Sequence, residues 1–443
     1  MKEGIIMARK VEPRILSGFL ELLPEDQIVF DFMKNTIEKT YAKYGFVNVE
    51  TPLIEYSEVL LAKAGGETEK QIYRFNKGDN DLSLRFDHTV PLARYVAKNA
   101  PYLVFPFKRY SIGKVYRGER PQKGRFREFY QCDIDIVGNE SLDIAYDAEL
   151  PLIIYDTFTN LGFDKITINL NNRKILNGLF NELDLVSVKD DVMRLIDKLD
   201  KIGYETFKES LKDYISDENT IDSLLKFLNI DGNAKDTINA LRELNYSDET
   251  FNLGIEELET VINDMNSLGL SENNYKINLK IARGLDYYTG TIYETFLDDY
   301  KELGSVCSGG RYNDLASFYT DKVLPGVGIS IGLTRLYSKL KEINFYKNEM
   351  KSLTKVMVID LEGGKEKALE LTSLLRKENI NVDMPHLNGK GMKQKMQYAS
   401  RLGVNYVVIL GEDEVKNNVY ALKDMYKGEQ VIVSYDELLK ILK

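Results

Sequence analysis

Near the start of the chain, apolar residues recur at helical spacing, at Val29, Met33, Ile37 and Tyr41. Residues four apart share one face of an α-helix, so this spacing predicts an amphipathic helix from Pro24 to Phe46. The segment VNVETPLIEY that follows is typical of one short strand, in which Pro52 fits an edge or an end. From Leu82 to Gly138 several strand-like runs follow one another, and they predict an antiparallel sheet.

A different pattern covers residues 171–274, which are rich in Lys, Asp, Leu and Asn. We interpret this region as several amphipathic helices that form an all-helical insertion. Strand-like sequence resumes at YKINLKIARG and continues to PGVGISIGLTRLYSKL, so the sheet begun before the insertion is expected to be completed after it. Within IARGLDYYTGTIYETF, Gly284 and Gly290 predict a hairpin between the two flanking strands.

The end of the chain alternates between strand-like and helical segments. From Lys355 onward, KVMVID, INVDMPH and VNYVVILG are strand-like, and YDELLKIL is a final helix. This rhythm predicts a separate α/β domain, with the polar KNEMKSLT before it as a linker. We therefore expect an α+β core over 1–170 and 275–345, a helical insertion over 171–274 and an α/β domain over 354–443.

The composition agrees with a globular protein that has more than one core. The chain has 443 residues, of which 43% are hydrophobic and 29% charged, and this length predicts two to three domains. Only Cys132 and Cys307 are present, far apart, which argues against a disulfide framework or a zinc site. The sequence contains neither an apolar leader nor a membrane-spanning run, so we expect a cytoplasmic location and no membrane partner.

The net charge of −10 bears on possible partners. An acidic chain is a poor candidate for a protein that coats nucleic acid without specificity, because its charge has the same sign as phosphate. Local basic loops can still contact RNA, but the composition alone predicts no such partner.

The segment GRFREFYQCDIDIVG, residues 124–138, alternates in the manner of a strand. One face would carry Arg127, Phe129, Gln131, Asp133 and Asp135, and the other would carry Phe126, Tyr130, Cys132, Ile134 and Ile136. A solvated sheet face is the ordinary interpretation of such a polar row. Two features favour a binding surface instead: an exposed Phe129 can stack on a base, and the preceding loop supplies arginines for phosphate oxygens. The loop's basic residues are Arg117, Arg120, Lys123 and Arg125.

Two shorter segments add candidates. PGVGISIGLTRL places several glycines before Arg335. These glycines either cradle phosphates or allow close helix–sheet packing. In LRFDHTVPLARY a strand ends before a helix that opens near Pro91, and there Asp87 suits an ammonium group while Thr89 suits a helix cap. We assign no catalytic role to His88, because the sequence offers it no partner for a metal site or a triad.

These segments together resemble the histidyl-tRNA synthetases, a family of class II aminoacyl-tRNA synthetases, over nearly the whole chain. YGFVNVETPLIEY resembles motif 1, YRGERPQKGRFREFYQCDIDIVG resembles motif 2, and GVGISIGLTRL resembles motif 3. RGLDYYTGTIYE and GGRYNDL are similar to elements particular to the histidine enzymes, and VNYVVILGEDEV resembles their anticodon-binding domain. One departure stands out, because motif 3 usually has Glu before its Arg, whereas Thr334 precedes Arg335 here.

The resemblance implies a set of site residues. The histidine pocket would contain Asp87, Thr89, Gln131, Asp135, Tyr287 and Tyr288. The first three are candidates for the α-ammonium group, while Asp135 would accept a hydrogen bond from the imidazole and a tyrosine would complete its other side. ATP would contact Arg117, Glu119, Arg125, Phe129 and Arg335. Arg283 and Arg117 would bridge the reacting carboxylate and α-phosphate, and the tRNA acceptor end would face Arg120, Gln122 and Lys123. No metal ligands are assigned.

The implied reaction is the ATP-dependent attachment of L-histidine to tRNA(His) through a histidyl-adenylate, with release of AMP and diphosphate. The resemblance also implies Mg²⁺ with the ATP and a homodimer formed through motif 1. Two alternatives share this fold. The regulatory subunit of ATP phosphoribosyltransferase binds histidine as an effector, but usually lacks the C-terminal domain and the ATP-binding arginines. An RNA-sensing domain of a kinase would need a kinase motif, which this sequence does not contain.

Overall fold

The computed structural model describes residues 11–62, 67–120, 124–281, 288–346, 351–387 and 389–443. These residues form two compact units. The first contains the described residues up to Leu20 together with those within Met33–Ile343, and the second contains those within Glu21–Phe32 and Asn344–Lys443. Among the helices in the described ranges, none has both the length and the hydrophobicity needed to cross a bilayer.

Strands and helices account for most of the described residues. The strands are β1 (Val47–Asn48), β2 (Ile54–Tyr56), β3 (Arg74–Lys77), β4 (Asn80–Leu84), β5 (Phe107–Tyr116), β6 (Glu128–Val137), β7 (Ile166–Asn172), β8 (Tyr275–Ile277), β9 (Thr291–Leu297), β10 (Cys307–Tyr312), β11 (Gly326–Ile331), β12 (Val356–Asp360), β13 (Val382–Asp383), β14 (Tyr406–Leu410), β15 (Tyr420–Asp424) and β16 (Gln430–Val433). The α-helices are α1 (Pro24–Lys43), α2 (Ser57–Leu61), α3 (Glu67–Gln71), α4 (Thr89–Asn99), α5 (Ala145–Asn160), α6 (Arg173–Glu182), α7 (Lys189–Ile196), α8 (Leu199–Ile202), α9 (Tyr204–Leu211), α10 (Glu218–Leu228), α11 (Ala234–Glu243), α12 (Glu249–Ser267), α13 (Leu333–Glu342), α14 (Lys365–Lys377), α15 (Met392–Leu402), α16 (Glu412–Asn417) and α17 (Tyr435–Leu442). Short 3₁₀ helices lie at Ala100–Tyr102, Val186–Val188, Glu272–Asn274, Asp298–Leu303 and Leu315–Phe318.

An eight-stranded sheet forms the centre of the first unit, in the order β1-β5-β6-β11-β10-β9-β7-β8. Its interior pairs are antiparallel, as predicted, whereas the edge strands β1 and β8 pair in parallel with their neighbours. Strands from both before and after residues 171–274 belong to this one sheet, and β11 lies directly beside β6. The prediction that the sheet is completed after the helical region is therefore confirmed, and so is the α+β fold class.

Two local predictions about strands were wrong. The segments flanking the expected hairpin become β8 and β9, which do not pair because β7 lies between them. A parallel neighbour such as β8 needs a long crossover connection, and the helices between β7 and β8 provide it. VNVETPLIEY forms two short strands rather than one: β1 joins the large sheet, and β2 joins a separate sheet with β4 and β3. Pro52 lies between them, where its missing N–H removes a ladder bond. Gly284 lies outside the described residues.

The helix predicted at Pro24–Phe46 is present as α1, which ends earlier, at Lys43. Met33, Ile37 and Tyr41 are buried, as their spacing predicted. The Tyr41 hydroxyl donates to the carbonyl of Cys132 on β6 at 3.2 Å, so the part of this helix that follows Met33 lies against the apolar face of the large sheet. The opposite face of the sheet is left for the site described below.

The region between β7 and β8 contains α6–α12 and no strand among its residues, all of which are described. Helices α6 and α12 approach closely at two glycines. A Cβ on Gly178 would overlap the backbone nitrogen of Phe251, and one on Gly254 would overlap Ile175. This region belongs to the same compact unit as the large sheet, so its status as a separate insertion stays a prediction.

The second unit contains a five-stranded sheet in the order β13-β12-β14-β15-β16, of which β13, β12 and β14 are parallel. Alternate residues of β12 and β14 enter two apolar clusters, one of which includes Val356 and Val408 and the other Met357 and Val407. Strands buried on both faces read as continuous apolar runs, which is why KVMVID and VNYVVILG were recognisable. The predicted alternation of strands and helices after Lys355 is confirmed.

Candidate active site

A cavity of about 570 Å³ opens on the polar face of the large sheet. Every predicted histidine- or ATP-binding residue within the described ranges lines it: Asp87, Thr89, Arg117, Glu119, Arg125, Phe129, Gln131, Asp135, Tyr288 and Arg335. Arg120 is not among the lining residues. Arg283, Tyr287, Gln122 and Lys123 lie outside the described residues. The side chains come from segments separated by up to 248 positions in the sequence (335 − 87), and the sheet brings them together.

The floor of the cavity is acidic and buried. Asp87, Asp133 and Asp135 are 8%, 2% and 3% exposed. Burial raises the pKa of each carboxyl, because a low-dielectric surrounding disfavours the charged form. The pKa of Asp133 rises to about 7, although nearby Arg109 opposes the shift. The row on β6 that holds Gln131, Asp133 and Asp135 therefore lines a cavity and is largely enclosed, as favoured over the ordinary interpretation of a solvated sheet face.

Asp135 is held by two partners that the sequence analysis did not identify. The Arg109 guanidinium lies 2.9 Å from Asp135 Oδ2, and the Tyr312 hydroxyl donates to Oδ1 at 2.9 Å. Arg109 is the direct cross-strand partner of Asp135 on β5, so only the register of the sheet identifies it. Gly328 on β11 is required nearby, because a Cβ there would overlap Asp135 Oδ1. A carboxylate has about four acceptor sites, so Asp135 retains capacity for a ligand donor.

The segment before α4 also differs from the expectation. The Asp87 carboxylate accepts from the backbone N–H of Val90 at 3.0 Å, and Thr89 is the first residue of the helix. Asp87, rather than Thr89, therefore satisfies an open N–H at this terminus. His88 is buried between Ser111 and the carbonyl of Gly113, each 3.2 Å from a ring nitrogen. Burial holds the pKa of His88 well below its usual value, so the ring is neutral.

Cationic and aromatic groups lie on the more exposed wall. The Arg117 guanidinium lies over two rings, with its central carbon 4.4 Å from the Phe86 centroid and 5.2 Å from the Phe129 centroid. Phe129 is half-buried, whereas the sequence predicted an exposed ring. Arg125 pairs with Glu119 at 3.2 Å, and Arg335 donates to the carbonyl of Leu303 at 3.2 Å. The cavity thus separates buried carboxylates from arginines that are reachable by an anion.

Thr334, which stands where the resemblance suggests Glu, has a defined contact. It is 3% exposed, and its hydroxyl oxygen accepts from the backbone N–H of Tyr130 at 2.8 Å. The ladder between β6 and β11 ends at the pair Cys132–Ile331, so the Tyr130 N–H lies beyond it. Thr334 therefore supplies this partly buried N–H with an acceptor from α13. The bond joins the two elements that carry Phe129 and Arg335.

We expect Thr334→Val, which removes the hydroxyl and keeps the shape, to raise the KM for ATP by about 3- to 10-fold, the size of one net hydrogen bond. Thr334→Ser keeps the hydroxyl and should restore the wild-type value. Pyrophosphate exchange at varied ATP and histidine concentrations measures both constants. An equal rise of both KM values in Thr334→Val would contradict a role confined to the nucleotide wall.

Comparisons with known proteins agree with this geometry. Residues 18–336 match the family model described as histidyl-tRNA synthetase, and residues 355–443 match one described as an anticodon binding domain. The histidine–tRNA ligase of Clostridium tetani is 51% identical over 434 residues, which cover 98% of each chain. The crystal structure of histidyl-tRNA synthetase from Nostoc sp. PCC 7120 superposes with a TM-score of 0.90 at 38% identity, covering 98% of this chain and 99% of that one.

A third similarity concerns the fold alone. A Bacillus halodurans protein described as an ATP phosphoribosyltransferase regulatory subunit/histidyl-tRNA synthetase superposes with a TM-score of 0.75 at 21% identity. The superposition covers 91% of this chain and 100% of the Bacillus halodurans chain.

The mixed sheet, its polar face and the second α/β unit define a class II aminoacyl-tRNA synthetase. Within that class, the chain belongs to the histidyl-tRNA synthetase family. The enzymatic activity of this family is histidine–tRNA ligation, and the regulatory alternative has no better support.

Proposed function

We propose that this chain joins L-histidine to tRNA(His) in two steps that use the cavity on the large sheet. The observation that carries the proposal is the division of one cavity into a buried acidic floor and an arginine-bearing wall. The floor suits an ammonium group and an imidazole, and the wall suits a triphosphate. A histidine molecule on the floor would direct its carboxylate toward the ATP.

In the first step, the histidine carboxylate attacks the α-phosphorus of ATP, and diphosphate leaves. No protein nucleophile is needed, because the substrate itself supplies one. The chain's contribution is to orient the reactants and to neutralise charge that develops on phosphate. We assign this neutralisation to Arg117 and Arg283, of which Arg283 lies outside the described residues. Phe129 and Arg335 would hold the adenine and phosphates, with Glu119 and Arg125 beside them.

In the second step, the terminal ribose of tRNA attacks the adenylate, which gives histidyl-tRNA and AMP. Arg120, Gln122 and Lys123 are proposed to face the acceptor end, and the domain over 354–443 is proposed to bind the anticodon. The match of 355–443 to an anticodon-binding model supports the second assignment. We retain the division into a core, 1–170 with 275–345, and an insertion, 171–274, as a proposal based on element type.

Mg²⁺ is proposed to arrive with ATP. Within the described ranges, the chain offers no group of three or more His, Cys, Asp or Glu side chains suited to hold a metal ion. Mg²⁺ is commonly bound through substrate phosphates, one or two carboxylates and water, which is the ground for this proposal. We assign it no protein ligand.

A homodimer in the cytoplasm is proposed as the working form. The edge strand β1, in the segment that resembles motif 1, leaves Val47 54% exposed. Tyr102 and Val104 are also large apolar residues in this unit, 86% and 85% exposed. An exposed apolar residue on an edge strand, such as Val47, together with other exposed apolar side chains of the same unit, is typical of a surface that another chain covers.

The decisive measurement is ATP–pyrophosphate exchange with each of the twenty amino acids. Histidine alone should support exchange, because a pocket built on paired polar groups leaves its buried partners unsatisfied by an analogue that lacks them. Exchange driven by another amino acid would overturn the substrate assignment. A folded protein that binds histidine but exchanges no pyrophosphate would instead favour the regulatory alternative.

A further inference from the structure

Three side chains on the cavity floor, Gln131, Ser330 and Asp133, are joined by hydrogen bonds. The Gln131 side-chain nitrogen donates to the Ser330 hydroxyl at 3.0 Å, and that hydroxyl donates to Asp133 Oδ1 at 2.5 Å. Ser330 is the direct cross-strand partner of Asp133 on β11, and Gln131 precedes Asp133 by two positions on the same face of β6. The sheet register therefore brings the three groups together.

The charge on Asp133 determines which group donates in each of these hydrogen bonds. At a pH above the pKa of Asp133 the carboxylate is ionised and only accepts hydrogen bonds, so Ser330 must use its single proton toward Asp133. The Ser330 oxygen is then left as an acceptor, and only the amide nitrogen of Gln131 can donate to it. The reverse amide orientation would place two acceptors against each other and lose one hydrogen bond.

The fixed amide leaves its oxygen available. Gln131 Oε1 is buried and has no hydrogen-bond partner among the described residues. Buried acceptors are normally satisfied, so an unsatisfied one in the lining of a binding cavity points to a donor supplied by the ligand. An ammonium group is a donor with no acceptor capacity, so it prefers an amide oxygen to an amide NH₂ group.

We propose that Ser330 and Asp133 are positioning residues that aim the carbonyl oxygen of Gln131 at the α-ammonium group of the amino-acid substrate. Neither residue needs to touch the substrate for this role. The inference rests on the proposed function, and it adds two residues that determine affinity for the amino acid and leave ATP binding unaffected.

The first test is Ser330→Ala, assayed by pyrophosphate exchange at a pH above the Asp133 pKa. We expect the KM for histidine to rise by about 3- to 10-fold, the range of one net hydrogen bond, with little change in the KM for ATP. Thr295→Val is the control, because Thr295 is a buried residue of the same sheet, on the opposite face, whose hydroxyl has no partner among the described residues. It should leave both constants unchanged.

The second test asks whether Ser330 acts through Gln131. Gln131→Ala should raise the KM for histidine by itself, and adding Ser330→Ala in that background should change it by less than about twofold, the limit expected for an absent interaction. Fully additive effects of the two substitutions on the histidine KM would overturn the proposal. The proposal would also fail if Ser330→Ala changed neither the histidine KM nor the ATP KM, or raised both equally. Asp133→Asn, whose amide can also donate to Ser330, should raise the histidine KM by less than Ser330→Ala does. An unchanged histidine KM in Asp133→Asn would remove Asp133 from the proposal.

The wild-type assay separates the two levels of inference. If the wild-type enzyme exchanges pyrophosphate with histidine and Ser330→Ala does not alter its KM, only the positioning role fails. If wild type shows no exchange with histidine, the proposed function itself fails.

Discussion

Arg117→Lys is expected to slow histidyl-adenylate formation by about 10²- to 10³-fold, the loss seen when one preorganised donor to a developing charge is removed. Lysine keeps the positive charge but loses the planar fork that can bond two oxygens at once. It also loses stacking over Phe86 and Phe129, which holds the guanidinium in place. The interaction between the Arg117 guanidinium and the reacting oxygens would strengthen in the transition state. The KM values should therefore change much less than the rate.

Single-turnover adenylate formation, measured together with thermal unfolding, checks this expectation. Arg74→Lys is a matched control, since Arg74 is exposed and pairs with Asp81 in the small sheet. The control should react at the wild-type rate. If Arg117→Lys has a lower melting temperature and a normal rate in the folded fraction, then Arg117 has only a structural role.

Arg311→Met is expected to destabilise the first unit by about 3–5 kcal/mol, the cost of breaking a buried ion pair. Arg311 Nε lies 3.0 Å from both oxygens of Asp147, and Asp147 on α5 is fully buried. The same guanidinium donates to the carbonyls of Leu142 and Asp143 at 3.0 and 2.9 Å. Among the described residues, the buried carboxylate would then retain a side-chain hydrogen bond from Thr291.

Urea unfolding of the variant tests this loss, and Arg242→Met provides the control. Arg242 forms an exposed pair with Glu259, which should contribute no more than about 1 kcal/mol. Burial already raises the pKa of Asp147, and removing Arg311 would raise it further. A carboxyl with a raised folded pKa binds more protons in the folded state, so the variant's stability should fall as pH rises above the unfolded pKa. Equal losses in Arg311→Met and Arg242→Met would contradict the special cost of the buried pair.

The sequence alone determined the features that depend on nearby residues. Helix α1, the strands β6, β11, β12 and β14 and the alternation after Lys355 were all predicted, because each depends on the spacing of apolar side chains within one segment. The motifs also identified side chains that lie together. Every described residue that they assigned to histidine or ATP lines the same cavity.

Only the tertiary structure decided the partners of those residues. Arg109 and Tyr312 bind Asp135, Ser330 binds Asp133, and Thr334 bonds to the backbone of Tyr130. The burial of Asp133 and Asp135, the separation of β8 from β9 by β7, and the assignment of β1 and β2 to different sheets were also missed. The physical reason is that strand order and register join segments far apart in sequence, and a local pattern carries no information about which strand lies beside it.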